Sequence, residues 1–230
     1  MSKLFDIAKK FPSDKDWTGF LKIYEKYFSD YKDKEINILE IGVDKGKSLR
    51  LWRNYFTKAK ICGIDILNLD FKIDGVDLIT ADQTNSKSLK EICDKYKSFD
   101  IIIDDGSHVS KHIITSFNFL FDYLNPGGLY TVEDLQTSYF PRFGGSRINL
   151  KKKKTSMNHL KSIADSVNYE HNDRPFFKKK NFDGLIEYIH FYQNIAILKK
   201  GNSKKIFYKD ENKKKNLFES IKKIISNFYE

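Results

Sequence analysis

Two stretches of this 230-residue chain end short apolar runs in clustered acid. Residues 101–108 read IIIDDGSH and deliver Asp104, Asp105 and His108. Residues 129–134 read LYTVED and deliver Glu133 and Asp134, after the turn Asn125-Pro126-Gly127-Gly128. A strand whose body is buried holds such residues rigidly at its carboxyl end, where open α/β sheets bind ligands. Three carboxylates from two neighbouring strand ends can hold a hard divalent cation, Mg²⁺ first and Mn²⁺ or Fe²⁺ next. Coordination lowers the pKa of a bound hydroxyl, and a neutral imidazole within reach can then take its proton. The constellation therefore suits deprotonation of an alcohol beside a metal. Strand alternation turns Asp104 away from Asp105, which gives it a supporting role.

The elements that must position these residues follow from periodicity. Apolar side chains at helical spacing (Phe20, Ile23, Tyr24, Tyr27, Phe28) predict a helix over 17–30. Strands are expected over 36–42, 60–66, 76–80, 99–104 and 128–133, with helices over 48–57, 86–96 and 110–124 between them. Alternation of apolar strands with helices predicts an α/β fold whose mostly parallel sheet is covered on both faces. Residues 184–190 and 192–199 are joined too tightly for a crossover and predict an antiparallel hairpin at a sheet edge. His190, inside the first of these, is expected to be a packed core imidazole. The chain reads as one domain over 1–230. A basic insertion over 141–180, helical at about 156–168, is expected above the active site, and an amphipathic helix over 213–229 closes the chain.

Composition bounds the function. Apolar content of 40% and aromatic content of 15% fit a folded globular protein. No apolar run is long enough to span a membrane, and the first residues lack a signal peptide's apolar stretch, so a cytoplasmic location is expected. Cys62 and Cys93 sit in apolar segments and read as reduced core residues. The net charge of +10 is uneven: residues 1–140 hold 20 Lys/Arg against 22 Asp/Glu, and residues 141–230 hold 21 against 9. The basic part suits an anionic partner such as a diphosphate-bearing substrate. It lacks interleaved aromatics, which argues against nucleic acid.

Residues 39–48, LEIGVDKGKS, end a strand and open a helix, with Gly42 and Gly46 permitting close approach of a ligand to backbone. Asp65 ends the next strand, where an acid commonly binds ribose hydroxyls. The pattern is not the GxGxxG of a dinucleotide fingerprint, and Glu40 would repel a pyrophosphate. A ligand with a cationic amino-acid part, such as S-adenosyl-L-methionine, suits it better. The segment NILEIGVDKGKSLRLWRNYF…KICGIDI resembles the first two motifs of class I S-adenosylmethionine-dependent methyltransferases, over about residues 13–200. That resemblance implies a Rossmann-like, seven-stranded fold. It places Glu40 and Gly42 beside the methionine part, Asp65 on the ribose, and Asp82 and Gln83 beside the adenine, with Asp104 supporting the cofactor side. Ser13-Asp14-Lys15 and Tyr24 resemble an upstream element that closes over the cofactor.

The stretch FDIIIDDGSHVSKH…NPGGLYTVEDLQTSYFPRFGG resembles a narrower group, the metal-dependent sugar O-methyltransferases of the mycinamicin and macrocin type and their bacterial surface-sugar relatives. The resemblance implies that Asp105, Glu133 and Asp134 bind the divalent ion and that His108 is the general base. Tyr139, Arg142 and the Phe143-Gly144-Gly145 turn are expected in the acceptor pocket, since a ring edge and a guanidinium suit sugars and phosphates. His112 is expected to begin a helix and face cofactor or solvent. The expected acceptor is a nucleotide-activated hexose or heptose for a surface polysaccharide. Alternatives are a natural-product glycoside, a catechol-type acceptor, or a basic nucleic-acid-binding module with a vestigial cofactor pocket. A homodimer is compatible with the sequence.

Overall fold

The computed structural model describes residues 4–152, 154–171, 181–201 and 226. Three helices open the chain: α1 (Leu4–Ala8), α2 (Asp14–Trp17) and α3 (Phe20–Phe28). Alternation then begins with β1 (Asn37–Ile41), α4 (Lys47–Tyr55), β2 (Lys60–Asp65), β3 (Val76–Thr80) and α5 (Ser86–Tyr96). It continues with β4 (Phe99–Asp104), α6 (Ser110–Leu120), β5 (Leu124–Val132) and α7 (Ser156–Ala164), and ends in β6 (Ile186–Tyr192) and β7 (Ile195–Lys200). The seven strands form one sheet in the order β3-β2-β1-β4-β5-β7-β6. The first five pair in parallel, and β7 pairs antiparallel with both β5 and β6.

Side chains divide between the two faces at a period of two. Leu39, Ile41, Ile102, Tyr130, Val132 and Leu198 pack on one face with Leu89 and Ile92 of α5, Phe117 of α6 and Leu160 of α7. Ile38, Ile101, Ile103, Leu129 and Ile197 pack on the other with Tyr24 and Phe28 of α3 and Trp52 of α4. Burial on both faces explains why the central strands read as continuous apolar runs. Chain order runs outward from β1 to β3 and returns to β4 beside β1. The reversal leaves a crevice beyond the carboxyl ends of β1 and β4, the topological position where such sheets bind ligands.

Several expectations change. β5 begins at Leu124, so Asn125-Pro126-Gly127-Gly128 lies within the strand, opposite a register shift between Phe99 and Ile101. The helix expected over 156–168 ends at Ala164 and continues as a 3-10 turn over Asp165–His171. His190 is exposed, because β6 is the sheet edge; its ring stacks on Tyr188 with centroids 4.2 Å apart, and Nδ1 lies 2.6 Å from the Tyr27 hydroxyl. Of the expected 141–180 insertion, the described part brings Phe143 near His108 and lays α7 on the sheet face beside Phe117. The helix expected over 213–229 falls outside the described residues. Cys62 and Cys93 are buried and unpaired, and burial pushes both thiols up to about 12. Among the described residues, no helix is long and apolar enough to cross a membrane.

Candidate active site

Two cavities meet at Gly42, Asp65 and Gly106, at the carboxyl ends of β1, β2 and β4. The larger, about 590 Å³, is bordered by Ser13, Asp14, Trp17, Gly42, Val43, Asp44, Lys47, Ser48, Asp105, His108 and Asp134 among others. The smaller, about 210 Å³, has apolar walls from Ile41, Ile64, Ile66 and Ala81, with Asp82, Gln83 and His112 at its rim. Gly42 has φ +90° and lies so close to β4 that a Cβ there would stand 2.1 Å from the Asp105 carbonyl oxygen. Only glycine fits that approach.

Chain reversals at the strand ends aim the acid side chains. His108 and Asp134 both hold left-handed backbone, with φ of 57° and 52°. The imidazole Nε2 lies 3.4 Å from Asp134 Oδ2. Ligand atoms of Asp105, His108 and Asp134 lie within 4.8 Å of one another, and so do those of Asp14, Asp105 and Glu133. The expected set of Asp105, Glu133 and Asp134 is therefore split into two clusters that share Asp105. Glu133 and Asp134 are consecutive, so their side chains diverge as β5 ends.

Lys15 of α2 explains where Glu133 points. Its side chain is fully buried, and its ammonium donates to Glu133 Oε2 at 2.9 Å and to Asp105 Oδ2. The Tyr24 hydroxyl donates to the other Glu133 oxygen. Burial alone would lower the Lys15 pKa, but the Glu133 and Asp105 carboxylates outweigh it and hold the ammonium well above its ordinary value. Burial and the Asp105 charge push the Glu133 carboxyl up. Three carboxylates, Asp14, Asp105 and Glu133, thus gather around one ammonium, and Asp134 joins the cluster through Asp105. An oxygen-rich, under-compensated cluster is the donor set that a hard divalent ion fits.

Residues expected on the cofactor occupy a continuous wall. Asp65 accepts from the backbone N–H groups of Val43 at 2.8 Å, Asp44 at 3.1 Å and Leu67 at 2.9 Å. Partial burial raises its pKa, but these bonds outweigh that and hold the carboxyl below its usual value. Asp82 turns onto Thr84, whose backbone N–H and hydroxyl donate to it at 2.7 and 2.8 Å. Gln83 borders the small cavity, yet its amide is engaged: Oε1 accepts from Ser107 N–H at 2.9 Å, and Nε2 reaches Asp104 and Ser116 at 3.3 Å. It braces the loop after β4. Asp104 is fully buried behind it, bonded to the Ser116 hydroxyl at 2.6 Å, and burial pushes its carboxyl up to about 6.

Three placements differ from expectation. Glu40 does not face a ligand: it is fully buried and accepts from Ser48 Oγ at 3.0 Å and Trp52 Nε1 at 3.2 Å. Burial pushes it up to about 7, against the pull of Lys15. It fixes Ser48 at the cavity wall from beneath. Tyr139 and Arg142 border neither cavity. Arg142 is exposed and stacks on Phe143 at 4.7 Å, and the Phe143 ring meets His108 edge-on at 6.4 Å, so Phe143 is the residue of that turn next to the site. His112 meets the Ser107 hydroxyl at 2.9 Å beside the small cavity. Sequence reasoning did not foresee the burial of Lys15, and it passed over Trp17 and Lys47.

No protein-family model matches the chain. It is 36% identical to mycinamicin VI 2''-O-methyltransferase of Micromonospora griseorubida over 198 residues, 80% of this chain and 48% of that protein. It is 36% identical to 8-demethyl-8-alpha-L-rhamnosyl tetracenomycin-C 2'-O-methyltransferase of Streptomyces olivaceus over 208 residues, 86% of this chain and 54% of the relative. To demethylmacrocin O-methyltransferase of Streptomyces fradiae it is 35% identical over 191 residues, 79% and 48% of the two chains. The chain thus spans about half the length of the curated relatives it matches. Among solved structures, the MycE methyltransferase from the mycinamycin biosynthetic pathway, in complex with Mg and SAH, superposes with a TM-score of 0.85 at 31% identity, covering 97% of this chain and 60% of that one. A further structure of MycE holds Mg, SAH and mycinamycin VI.

Proposed function

Because the homologues of this chain are sugar O-methyltransferases and its fold is theirs, we propose that it transfers the methyl group of S-adenosylmethionine to a hydroxyl of a natural-product glycoside. One observation carries the reading: the paired cavities run from Asp65, suited to a ribose, to the cluster of Asp105, His108 and Asp134, suited to an alcohol. The small apolar cavity takes the adenine, Asp65 the ribose hydroxyls, and the Gly42–Asp44 turn the methionine part, near Lys47 at the start of α4. Asp105, which joins the two clusters, would hold Mg²⁺ or a similar ion with Asp134 on one side and Glu133 on the other, and the bound ion would lower the pKa of the acceptor hydroxyl. His108 would take the hydroxyl proton as the oxygen bonds to the methyl carbon, the sulfur–methyl bond breaks and S-adenosylhomocysteine leaves. Asp134, 3.4 Å from Nε2, orients the imidazole and stabilises the imidazolium that forms. Lys15 holds the Glu133 oxygen that such an ion would share, so the ammonium and the ion compete for it.

The names of the relatives favour a glycoside acceptor over the nucleotide-linked sugar expected from the basic insertion, since they specify mycinamicin VI, demethylmacrocin and a rhamnosyl tetracenomycin. Incubation with labelled S-adenosylmethionine and two panels, natural-product glycosides and nucleotide sugars, with and without chelator, tests the reading. Label in a glycoside only when metal is present is expected. Label in neither panel at saturating donor rejects the activity.

A further inference from the structure

We propose that Ser13 and Trp17 form the subsite on which the acceptor's sugar ring lies, with the Trp17 indole as its platform and the Ser13 hydroxyl as donor to a ring hydroxyl. The inference rests on the methyltransferase reading above and deepens it. Trp17 ends α2 with 81% of its surface exposed, and it borders the same cavity as Asp105, His108 and Asp134. Among the described residues, no ring stacks on it. Trp52, by contrast, is sealed between Tyr24, Phe28 and Phe56. A large flat apolar surface held at a cavity mouth is a natural anchor for a ligand.

Ser13 supplies the second, independent observation. It is only 6% exposed, it borders the cavity, and its hydroxyl has no hydrogen-bond partner among the described residues. It stands at the N-cap of α2, where a serine ordinarily accepts a backbone N–H, yet it makes no capping bond. A buried hydroxyl left unpaired in a protein is costly, and a ligand that pairs with it removes the cost. Asp14, between the two, has a carboxylate oxygen within 4.8 Å of those of Asp105 and Glu133. Trp17 lies three residues further along the same turn and so shares its face. The platform therefore stands beside the acid cluster rather than at the adenine end. A pyranose offers one face of C–H bonds and a rim of hydroxyls, which an indole and an unpaired hydroxyl match together.

The chain has two tryptophans, and Trp52 is buried in the core, so a ligand-dependent change in fluorescence reports on Trp17. The probe is methyl α-L-rhamnopyranoside, added to the full chain saturated with S-adenosylhomocysteine and Mg²⁺. A saturable fluorescence change is expected. By ligand-observed NMR, Trp17→Ala should weaken rhamnoside binding at least about tenfold, and Trp17→Phe should stay within about threefold. Ser13→Ala should weaken it about three- to tenfold. Affinity for S-adenosylhomocysteine should be unchanged in both Trp17 variants. No fluorescence change in the wild type, unaltered rhamnoside binding in Trp17→Ala, or a parallel loss of S-adenosylhomocysteine affinity would each overturn the subsite. Rhamnoside bound at Trp17 without methyl transfer would leave the subsite standing and defeat the activity. Glycoside methylation at an unchanged KM in Trp17→Ala would do the reverse.

Discussion

His108 and Asp134 share a rare backbone state and a side-chain contact: both are left-handed, at φ 57° and 52°, and their side chains meet at 3.4 Å. For a residue with a Cβ that state costs on the order of 1–2 kcal/mol. One side chain ties both reversals, because the Thr137 hydroxyl lies 2.7 Å from the Asp134 carbonyl and 3.0 Å from that of His108. The strain turns an imidazole and a carboxylate out of two neighbouring strands toward one point. Such outliers gather at functional sites, where the surrounding structure over-determines them.

If His108 is the base, His108→Ala should lose roughly 10²–10⁴-fold in turnover, the usual contribution of general-base catalysis. S-adenosylhomocysteine affinity, measured by calorimetry, should hold. Asparagine at 108 should fare no better, since an amide does not accept the proton usefully. Retention of more than about a third of wild-type turnover would move the role elsewhere, with His112 the next residue to replace.

Metal dependence is tested by exhaustive chelation, which should abolish turnover, and by Mg²⁺ or Mn²⁺, which should restore it. Asp105→Asn and Asp134→Asn should each weaken the ion by isothermal titration at least as much as losing an outer-shell partner does, about 10-fold or more. Full activity in metal-free protein would remove the metal from the mechanism.

Lys15→Met leaves Glu133 and Asp105 without their buried cation. Removing one partner of a buried ion pair costs about 3–5 kcal/mol, so the metal-free variant should melt well below wild type. The competition between ammonium and ion then predicts a larger rise in Tm with added Mg²⁺ in the variant than in wild type. An equal rise in the two proteins shows that they do not compete.

Asp65→Ala should weaken S-adenosylmethionine at least about tenfold, the effect of leaving ribose hydroxyls and loop N–H groups unpaired. Unchanged affinity by calorimetry would place the ribose elsewhere.

Glu40 predicts a pH dependence of stability. Burial raises its carboxyl from 4.5 to about 7, so the folded chain holds this proton more tightly than the unfolded one. Stability from this group is full below about 4.5 and is lost as pH rises through about 7, on the order of 3 kcal/mol in all. Glu40→Gln, which keeps an acceptor for Trp52, should flatten the Tm profile across that window and exceed wild type at pH 8. A variant that keeps the wild-type slope would assign it to another group.

Much of this architecture was legible because buried strands announce themselves. The runs at 36–42, 60–66, 76–80 and 99–104 became β1 to β4 within a residue or two. The strand ends carrying Asp105, His108 and Asp134 were legible for the same reason. Lys15 was not. The resemblance put it in an element that closes over the cofactor, but nothing in the sequence pairs it with acids, because its partners lie 90 and 118 residues away, beyond any periodicity. Glu40 was misplaced because its donors, Ser48 and Trp52, belong to the following helix. His190 was misread because apolar neighbours do not reveal which strand will be the edge. Arg142 attracted attention by its chemistry, while Phe143 beside it makes the contact.

Gly42 has one further consequence. Its Cα presses against the Asp105 carbonyl with no space for a side chain, so the turn after β1 and the acid-bearing end of β4 are held together as one part. The other walls beside the acid cluster come from separate stretches, Ser13–Trp17 and the turn around Phe143. On the proposed function, a redesign for a different sugar would rebuild those two stretches and leave the Gly42–Asp105 contact untouched.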